Sequence, residues 1–296
     1  MQPAARPEPR PVVTPENAPF QLSVREAAEI VELTEAEMLA EVAAAAGPEL
    51  SERLGLRLLR PGSAVALAAR RLDVPMLNRV VGLGLREPVS AALVESIDAL
   101  YRGAGVRYLV QVSPAVGPAD QALLRSSLEA RSLVRGDNWT KLIRDVAPPR
   151  EARTDLRISL ASTDHAGAVG EVLNAGFGTP PELGQLLARL VGRPGWRHYL
   201  AWDGQQPVAV GALFVRGQIG ALEGAATLPT HRGRGAQSTL MARRIAEAAA
   251  LGCRWLIAET GEETPDQPNP SYRNMLRAGF QLVYQRPNWI YSPTTS

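Results

Sequence analysis

The sequence predicts an α/β chain of the mixed α+β sheet kind, built as two copies of one unit in tandem. Three observations predict it. Strand-like and helix-like stretches alternate through the second half, and a strand, a helix, a glycine and a tryptophan recur in the same order in the first. Between the halves stands VAPPREARTD (146–155), two prolines among charges, which reads as a linker. At 296 residues the chain reaches the length at which single cores stop growing, ~250–300 residues, so two domains are expected.

The elements follow in order. Residues 1–19 hold many prolines and little apolar surface, which predicts a disordered tail. Residues 24–46 are rich in Glu, Ala and Leu at helical spacing and are stopped by Gly47-Pro48. Past the linker, LRISL (156–160) reads as a strand, 163–175 and 180–191 as helices, and WRHYLAWDG and QPVAVGALFVRG as two strands joined by a tight turn. A fourth strand spans 219–228. The next helix, QSTLMARRIAEAAALG, places Met241, Ile245 and Ala248 on one face and ends at Gly252. CRWLIAE is a fifth strand, 271–278 a short helix, and FQLVYQRPNWIY one or two closing strands. The expected segments are therefore a tail at 1–19, a first domain at 20–147, a linker at 148–154 and a second domain at 155–296.

The repeat is specific. AGVRYLVQVS (104–113) tracks ALGCRWLIAE, with Gly105 to Gly252 and Tyr108 to Trp255 at one displacement; Asn138-Trp139 tracks Asn288-Trp289 three residues further on. Leu93, Ile97 and Leu100 follow Met241, Ile245 and Ala248 in the same way. Trp139 and Trp289 read as core anchors of matching strands.

Composition excludes several classes of function. Apolar residues make up 45% and charged residues 21%, the balance of a chain able to bury a core, and the formal net charge is +2, which supplies no broad field for nucleic acid or an anionic membrane. One cysteine and three scattered histidines offer no disulfide and no metal-ligand spacing; Cys253 reads as a small core residue. No apolar run reaches the ~18 residues of a membrane helix and the N-terminal stretch lacks a signal-peptide centre, so a cytoplasmic protein is expected.

The chemistry concentrates at THRGRGAQSTL (230–240), where a strand hands over to a helix. Glycine tolerates positive φ and lets a ligand approach bare backbone, and the first N–H groups of a helix lack internal partners and carry the positive end of its dipole. Arg232, Gly233, Arg234, Gly235, Ala236 and Gln237 can together make an anion site, most naturally for a pyrophosphate; a solvated Gly/Arg turn is the other reading.

A strand ending in LPT, then R-G-x-G, an amphipathic helix, another strand and a terminal GF resembles the GNAT superfamily of acyl-CoA-dependent N-acetyltransferases. The resemblance covers about 155–291 and is densest over 223–280. It implies a central, mostly antiparallel sheet flanked by helices, with acetyl-CoA as co-substrate and no metal. The loop around Arg232, Gly233 and Gly235 would hold the pyrophosphate, with Gln237 standing where the family usually has a small residue. Ala225, Ala226, Thr227 and Leu228, at the end of the fourth strand, would pair with the pantetheine amides. PNPSYRNMLRAGF (268–280) resembles the family's second landmark and places Asn269 and Ser271 at the thiol end of the cofactor. Where many members carry a tyrosine that protonates the departing thiolate, this chain has Met275. Ser271 or Tyr272 takes that role, or the thiolate, of modest basicity, leaves without a dedicated acid; Tyr272 can equally be a helix-surface aromatic. Glu223 lies where the family often carries a base for the amine, and a solvent-facing carboxylate is the alternative.

In the first copy the matching loop reads LREPVS (85–90). It has neither glycine, adds Glu87 and, through Pro88, loses a donor; Pro88 suits a first helical position. The first domain is thus expected to be a degenerate module that packs on the working copy, shaping the acceptor cleft or replacing a dimer partner. The expected function is transfer of acetyl from acetyl-CoA to a primary amine, on a small molecule or a peptide, by a monomer of pseudo-dimeric build or a homodimer. A non-catalytic acyl-CoA-binding regulator is the alternative.

Overall fold

The computed structural model describes residues 21–293, so the tail expected at 1–19 lies outside the described residues. The first half runs α1 (Val24–Ala45), α2 (Gly47–Leu54), β1 (Leu56–Leu59), β2 (Val65–Ala69), β3 (Arg79–Val81), α3 (Ala91–Tyr101), β4 (Tyr108–Gln111), α4 (Pro118–Glu129) and β5 (Val134–Asp145). The second runs β6 (Arg157–Leu160), a 3-10 turn, α5 (Ala166–Phe177), α6 (Pro181–Ala188), β7 (Trp196–Asp203), β8 (Gln206–Arg216), β9 (Ile219–Thr227), a second 3-10 turn (Pro229–His231), α7 (Ala236–Ala250), β10 (Trp255–Gly261), α8 (Pro270–Arg277) and β11 (Gln281–Tyr291).

α1 starts in a capping box, in which the Ser23 side chain accepts from the Glu26 N–H and the Glu26 carboxylate accepts from the Ser23 N–H at 2.8 Å. Gly47-Pro48 ends α1 as expected but does more: Gly47 turns the chain at φ 68° and Pro48, in the first turn of α2, starts the next helix. The repeat holds at β4 and β10, which begin at Tyr108 and Trp255, each reached through a left-handed glycine, Gly105 or Gly252. The buried face of α3 differs slightly from the expected one: Val94, Ile97 and Tyr101 point inward, while Leu93 and Leu100 are only half-buried. Pro88 lies before α3 and not in it, since Ser90 is the N-cap.

All eleven strands form one sheet in the order β1-β2-β3-β4-β11-β5-β10-β9-β8-β7-β6. In each half a parallel pair stands at the centre, β3 with β4 and β9 with β10. The strand that closes each half then crosses to the other. β5 pairs antiparallel with β10, from Trp255↔Asp145 to Gly261↔Trp139, and β11 pairs with β4, Asn288 opposite Gln111. β5 and β11 also pair with each other, so the exchange leaves no open edge between the halves. Along the chain, 146–155 separates β5 from β6; in space β5 belongs beside the second half.

Side chains alternate across the sheet. Leu256 and Ala258 of β10 meet α7 and α8, whereas Ile257 joins the cluster formed by α1, α2 and α6. That rule puts Glu259 on the α1 side, where the exchanged strands meet a buried ion cluster. Arg286 of β11 is fully buried and binds Glu32 at 2.8 Å and Glu35 at 2.6 Å; Tyr284 donates to Glu32 at 2.7 Å. Arg79 lies 3.0 Å from Glu35 and 3.3 Å from Glu259, and Lys141 of β5 joins the same two carboxylates. Three acids thus face three bases. Burial alone would raise the Glu35 pKa, but the charges of Arg286, Lys141 and Arg79 outweigh it and hold the carboxyl well below the usual range.

Glu35→Gln would strand these cations in the core and should lower stability by about 3–5 kcal/mol, read as a shifted urea midpoint. Because the Glu35 pKa is lowered on folding, its contribution is present above the unfolded carboxylate pKa and is lost on acidification. The wild-type protein should therefore lose more stability than the variant as the pH falls below about 4.

Candidate active site

β9 and β10 pair only from Ile219 to Leu222 and Trp255 to Ala258; beyond that they diverge. β9 stays on β8 through a bulge, in which Ala212 faces Glu223 and Val210 faces Ala226, so that Gly224 and Ala225 together oppose the single residue Gly211. Gly224 absorbs the bend at φ 51°. Arg244 of α7 holds the bulge from below: its buried guanidinium donates to the carbonyls of Ala212 at 3.0 Å and Glu223 at 3.3 Å. The guanidinium sits where a side chain at Gly211 would stand. The edge of β9 from Glu223 to Thr227 that faces β10 is consequently without a strand partner, a row of backbone donors and acceptors inside the molecule.

A cavity of about 430 Å³ opens at this divergence. Its floor carries Glu223, Glu259, Gly224 and Ala225, and Ser271 and Met275 of α8 close one side. The first half supplies the opposite wall, with Met38, Leu39 and Val42 of α1, the turn at Met76 and Leu77, Arg79, and Trp139 of β5. Glu223 is half-buried. Burial, helped by the neighbouring carboxylates of Glu259 and Glu35 and opposed by Arg79 and Lys141, pushes its pKa up to about 8. Glu223 thus faces the cavity and not open solvent.

At the far end of the open edge lies the start of α7. Gly233 and Gly235 both have positive φ, 81° and 79°, and a Cβ at Gly235 would collide with the Arg153 carbonyl oxygen. Gly235 is the N-cap and supplies no side-chain bond, so the first N–H groups of the helix are uncapped. Arg232 is exposed, with no side-chain partner among the described residues. Arg234 differs from expectation. It pairs with Asp155 and, at 2.6 Å, with Asp203, and the Thr154 hydroxyl donates to its carbonyl at 2.7 Å; its charge fastens the loop to the linker and is not left for a ligand. His231 stands 3.4 Å from the same Asp203. Gln237 does not obstruct the helix start: its amide reaches back to the Thr227 hydroxyl at 2.8 Å and ties α7 to the end of β9. Ala225, Ala226, Thr227 and Leu228 therefore lead from the cavity to the uncapped turn, about 7 Å along the strand from Ala225 to Thr227.

α3, the counterpart of α7, is closed. The Ser90 hydroxyl accepts from the Leu93 N–H at 3.1 Å, Asp120 accepts from the Val89 N–H at 3.1 Å, and Glu87 is bound by Ser63. Leu83, Leu85, Val89 and Val116 are buried around Gly84, filling the place where the second copy is open.

On α8, Asn269 is the N-cap: it accepts from the Tyr272 N–H at 3.1 Å and donates to the Thr260 hydroxyl at 3.0 Å and the Gly261 carbonyl at 2.7 Å. Its side chain is thus spent on joining α8 to β10. Ser271 reaches the cavity; Tyr272 does not, packing instead on the cluster under α7 and α8, where burial and Glu263 raise its pKa. Cys253 is buried in that same cluster.

Four wall residues were not read as site residues from the sequence. Trp139 is no simple core anchor: it lines the cavity with Arg79 5.4 Å and Arg286 5.8 Å from its ring, whereas its repeat partner Trp289 is buried in the first-half core. The strand exchange carries Trp139 there, and nothing local in Asn138-Trp139 signals it. Arg79 and Glu259 arrive through the ion cluster. His198 stacks on Trp196 at 5.7 Å, and burial pulls its pKa down to about 4, so the ring is neutral.

Residues 174–280 match the model of the acetyltransferase (GNAT) family. Among curated proteins no match is found. Several solved structures are similar over nearly the whole chain. A GCN5-related N-acetyltransferase from Kribbella flavida shares 18% identity at a TM-score of 0.57, covering 87% of this chain and 96% of that one. One from Sphaerobacter thermophilus shares 16% at 0.55, covering 98% and 97%. A tandem GNAT protein from the clavulanic acid biosynthesis pathway shares 16% at 0.56, covering 90% and 96%. Such identities establish a common fold, and the segment matched by the family model contains the bulged strand, Glu223, the uncapped start of α7 and all of α8. That segment, residues 174–280, matches the GNAT acetyltransferase family, and the chain as a whole shares the fold of these structures.

Proposed function

We propose that the protein transfers an acetyl group from acetyl-CoA to a primary amine, using one site formed by the second half and walled by the first. The observation that carries this reading is the continuous path from the uncapped α7 turn, along the unpaired edge of β9, to a cavity holding a carboxyl of raised pKa. The uncapped N–H groups and Arg232 suit a pyrophosphate, and the open strand edge suits the amides of a pantetheine arm. The bound co-substrate supplies an activated acyl thioester. Ionised Glu223 accepts the proton of the entering amine directly or through water, so that nitrogen forms the new C–N bond as the C–S bond breaks. Among the described residues no tyrosine lines the cavity, and Ser271, a cavity hydroxyl on α8, is our candidate to pass a proton to the departing sulfur. With the strands exchanged inside one chain, a second subunit is not needed to complete this wall, and we read the protein as a cytoplasmic monomer.

Calorimetry with acetyl-CoA should give one site per chain; two would contradict a closed first copy. Gly235→Val should abolish the thermal shift by acetyl-CoA, and Arg232→Ala should weaken binding about tenfold, as expected for a charge-assisted hydrogen bond. Thiol release with an amine acceptor separates an enzyme from a chain that only senses acyl-CoA.

Glu223 must be ionised to act as a base, and its pKa is raised, so activity should increase with pH through an inflection near 8. Glu223→Gln should erase that inflection and lower kcat/KM by roughly 100- to 10,000-fold. An unchanged pH profile in the variant would remove Glu223 from the mechanism.

A further inference from the structure

From the walls of the cavity we infer that the acceptor is a singly charged amine carried on a bulky apolar body, aromatic or alkyl, with no carboxylate and no second ammonium; this rests on the transferase reading above. The cavity's charge lies at one end only. Glu223 stands where β9 and β10 diverge, suited to an ammonium; Glu259 beside it is already bound by Arg79, Lys141 and Arg286. Among the described residues Arg79 is the one cation lining it, already bound to Glu35 and Glu259, so an amino-acid carboxylate would find no free cation there. Away from this end the wall is hydrocarbon from both halves, Met38, Leu39 and Val42 of α1 facing Leu183, Leu187 and Leu190 at α6 and just beyond it. A second ammonium would be desolvated there with no carboxylate to pair it. Trp196 and neutral His198 extend the same surface as a stacked pair without fixed charge. At the mouth, Met76 and Phe177 are 41% and 47% exposed, large apolar side chains facing solvent on both sides of the opening. The volume, about 430 Å³, falls within the ~300–1,000 Å³ of small-ligand pockets. A long acyl chain could fill hydrocarbon walls equally well, but it would bury the Glu223 carboxyl under apolar atoms with no ammonium to bind it, which favours the amine as the occupant.

The test uses the full chain with saturating acetyl-CoA and follows thiol release with 2-phenylethylamine, octylamine, ethylamine, spermidine and glycine. The expected kcat/KM for 2-phenylethylamine is on the order of 100-fold above that for ethylamine, from burial of its ring, with spermidine and glycine no better than ethylamine. Turnover that favours spermidine or glycine would overturn the inference and leave the transferase reading standing. So would a preference for octanoyl-CoA over acetyl-CoA with no discrimination among amines. If no amine releases thiol, the transferase reading fails, and the pocket is then judged by thermal shift: 2-phenylethylamine raising Tm where spermidine does not supports it, and equal effects overturn it. Leu187→Asp should remove the 2-phenylethylamine preference while acetyl-CoA still raises Tm, and Leu187→Met should keep both. If Leu187→Asp does not fold, Phe177→Ser, at the exposed mouth, should reduce the preference severalfold, and a preference left intact counts against the assignment.

Discussion

The structure turns on a buried cluster of three carboxylates and three cations at the place where the two halves exchange their closing strands. Each strand that meets there contributes one charge: Arg79 from β3, Lys141 from β5, Glu259 from β10 and Arg286 from β11, with Glu32 and Glu35 from α1 completing the balance. Removing two ions from water costs about as much as their attraction returns, so such a cluster adds little net stability. Its effect is on register. A slip of one residue in β5 or β11 would turn Lys141 or Arg286 to the other face and leave an unpaired charge in the core. The exchange, and with it the continuity of the eleven-stranded sheet, is thereby held to one alignment.

The same cluster reaches the candidate active site. Glu259 is at once a member of the ion pairs and a wall of the cavity, and with Glu35 it adds to the burial that raises the Glu223 pKa, against Arg79 and Lys141, which lower it. The first half therefore acts on the site through charge as well as shape. It supplies Arg79, Trp139 and one face of α1, while its own equivalent of the open helix start is closed by the Ser90 cap, by Glu87 and Asp120, and by packed valine and leucine. The two copies share a backbone plan and differ in whether the backbone donors at the helix start are left free.

Much of this was legible in the sequence where the signal is local. The stop at Gly47-Pro48, the paired glycines before β4 and β10 and the glycines of the loop at 230–240 are each settled by the conformations that a few adjacent residues can adopt. The contrast between RGRGAQ and LREPVS was readable for the same reason. Side-chain roles in that loop were less so: Arg234 and Gln237 both looked available to a ligand, and each instead bonds to a partner from another segment, Asp155 and Asp203 for one and Thr227 for the other.

The sequence by itself determined that two related units follow one another, that only the second keeps the glycines for a free helix start, and where along the chain that start lies, because backbone conformation and charge within a few residues decide those matters. Only the tertiary structure decided that β5 and β11 trade places, that Trp139 and Arg79 of the first half face Glu223 of the second, and that Tyr272 is turned away while Ser271 is not. These depend on which sheet edge a strand finds and which face its side chains then take, and no short stretch of residues carries that information.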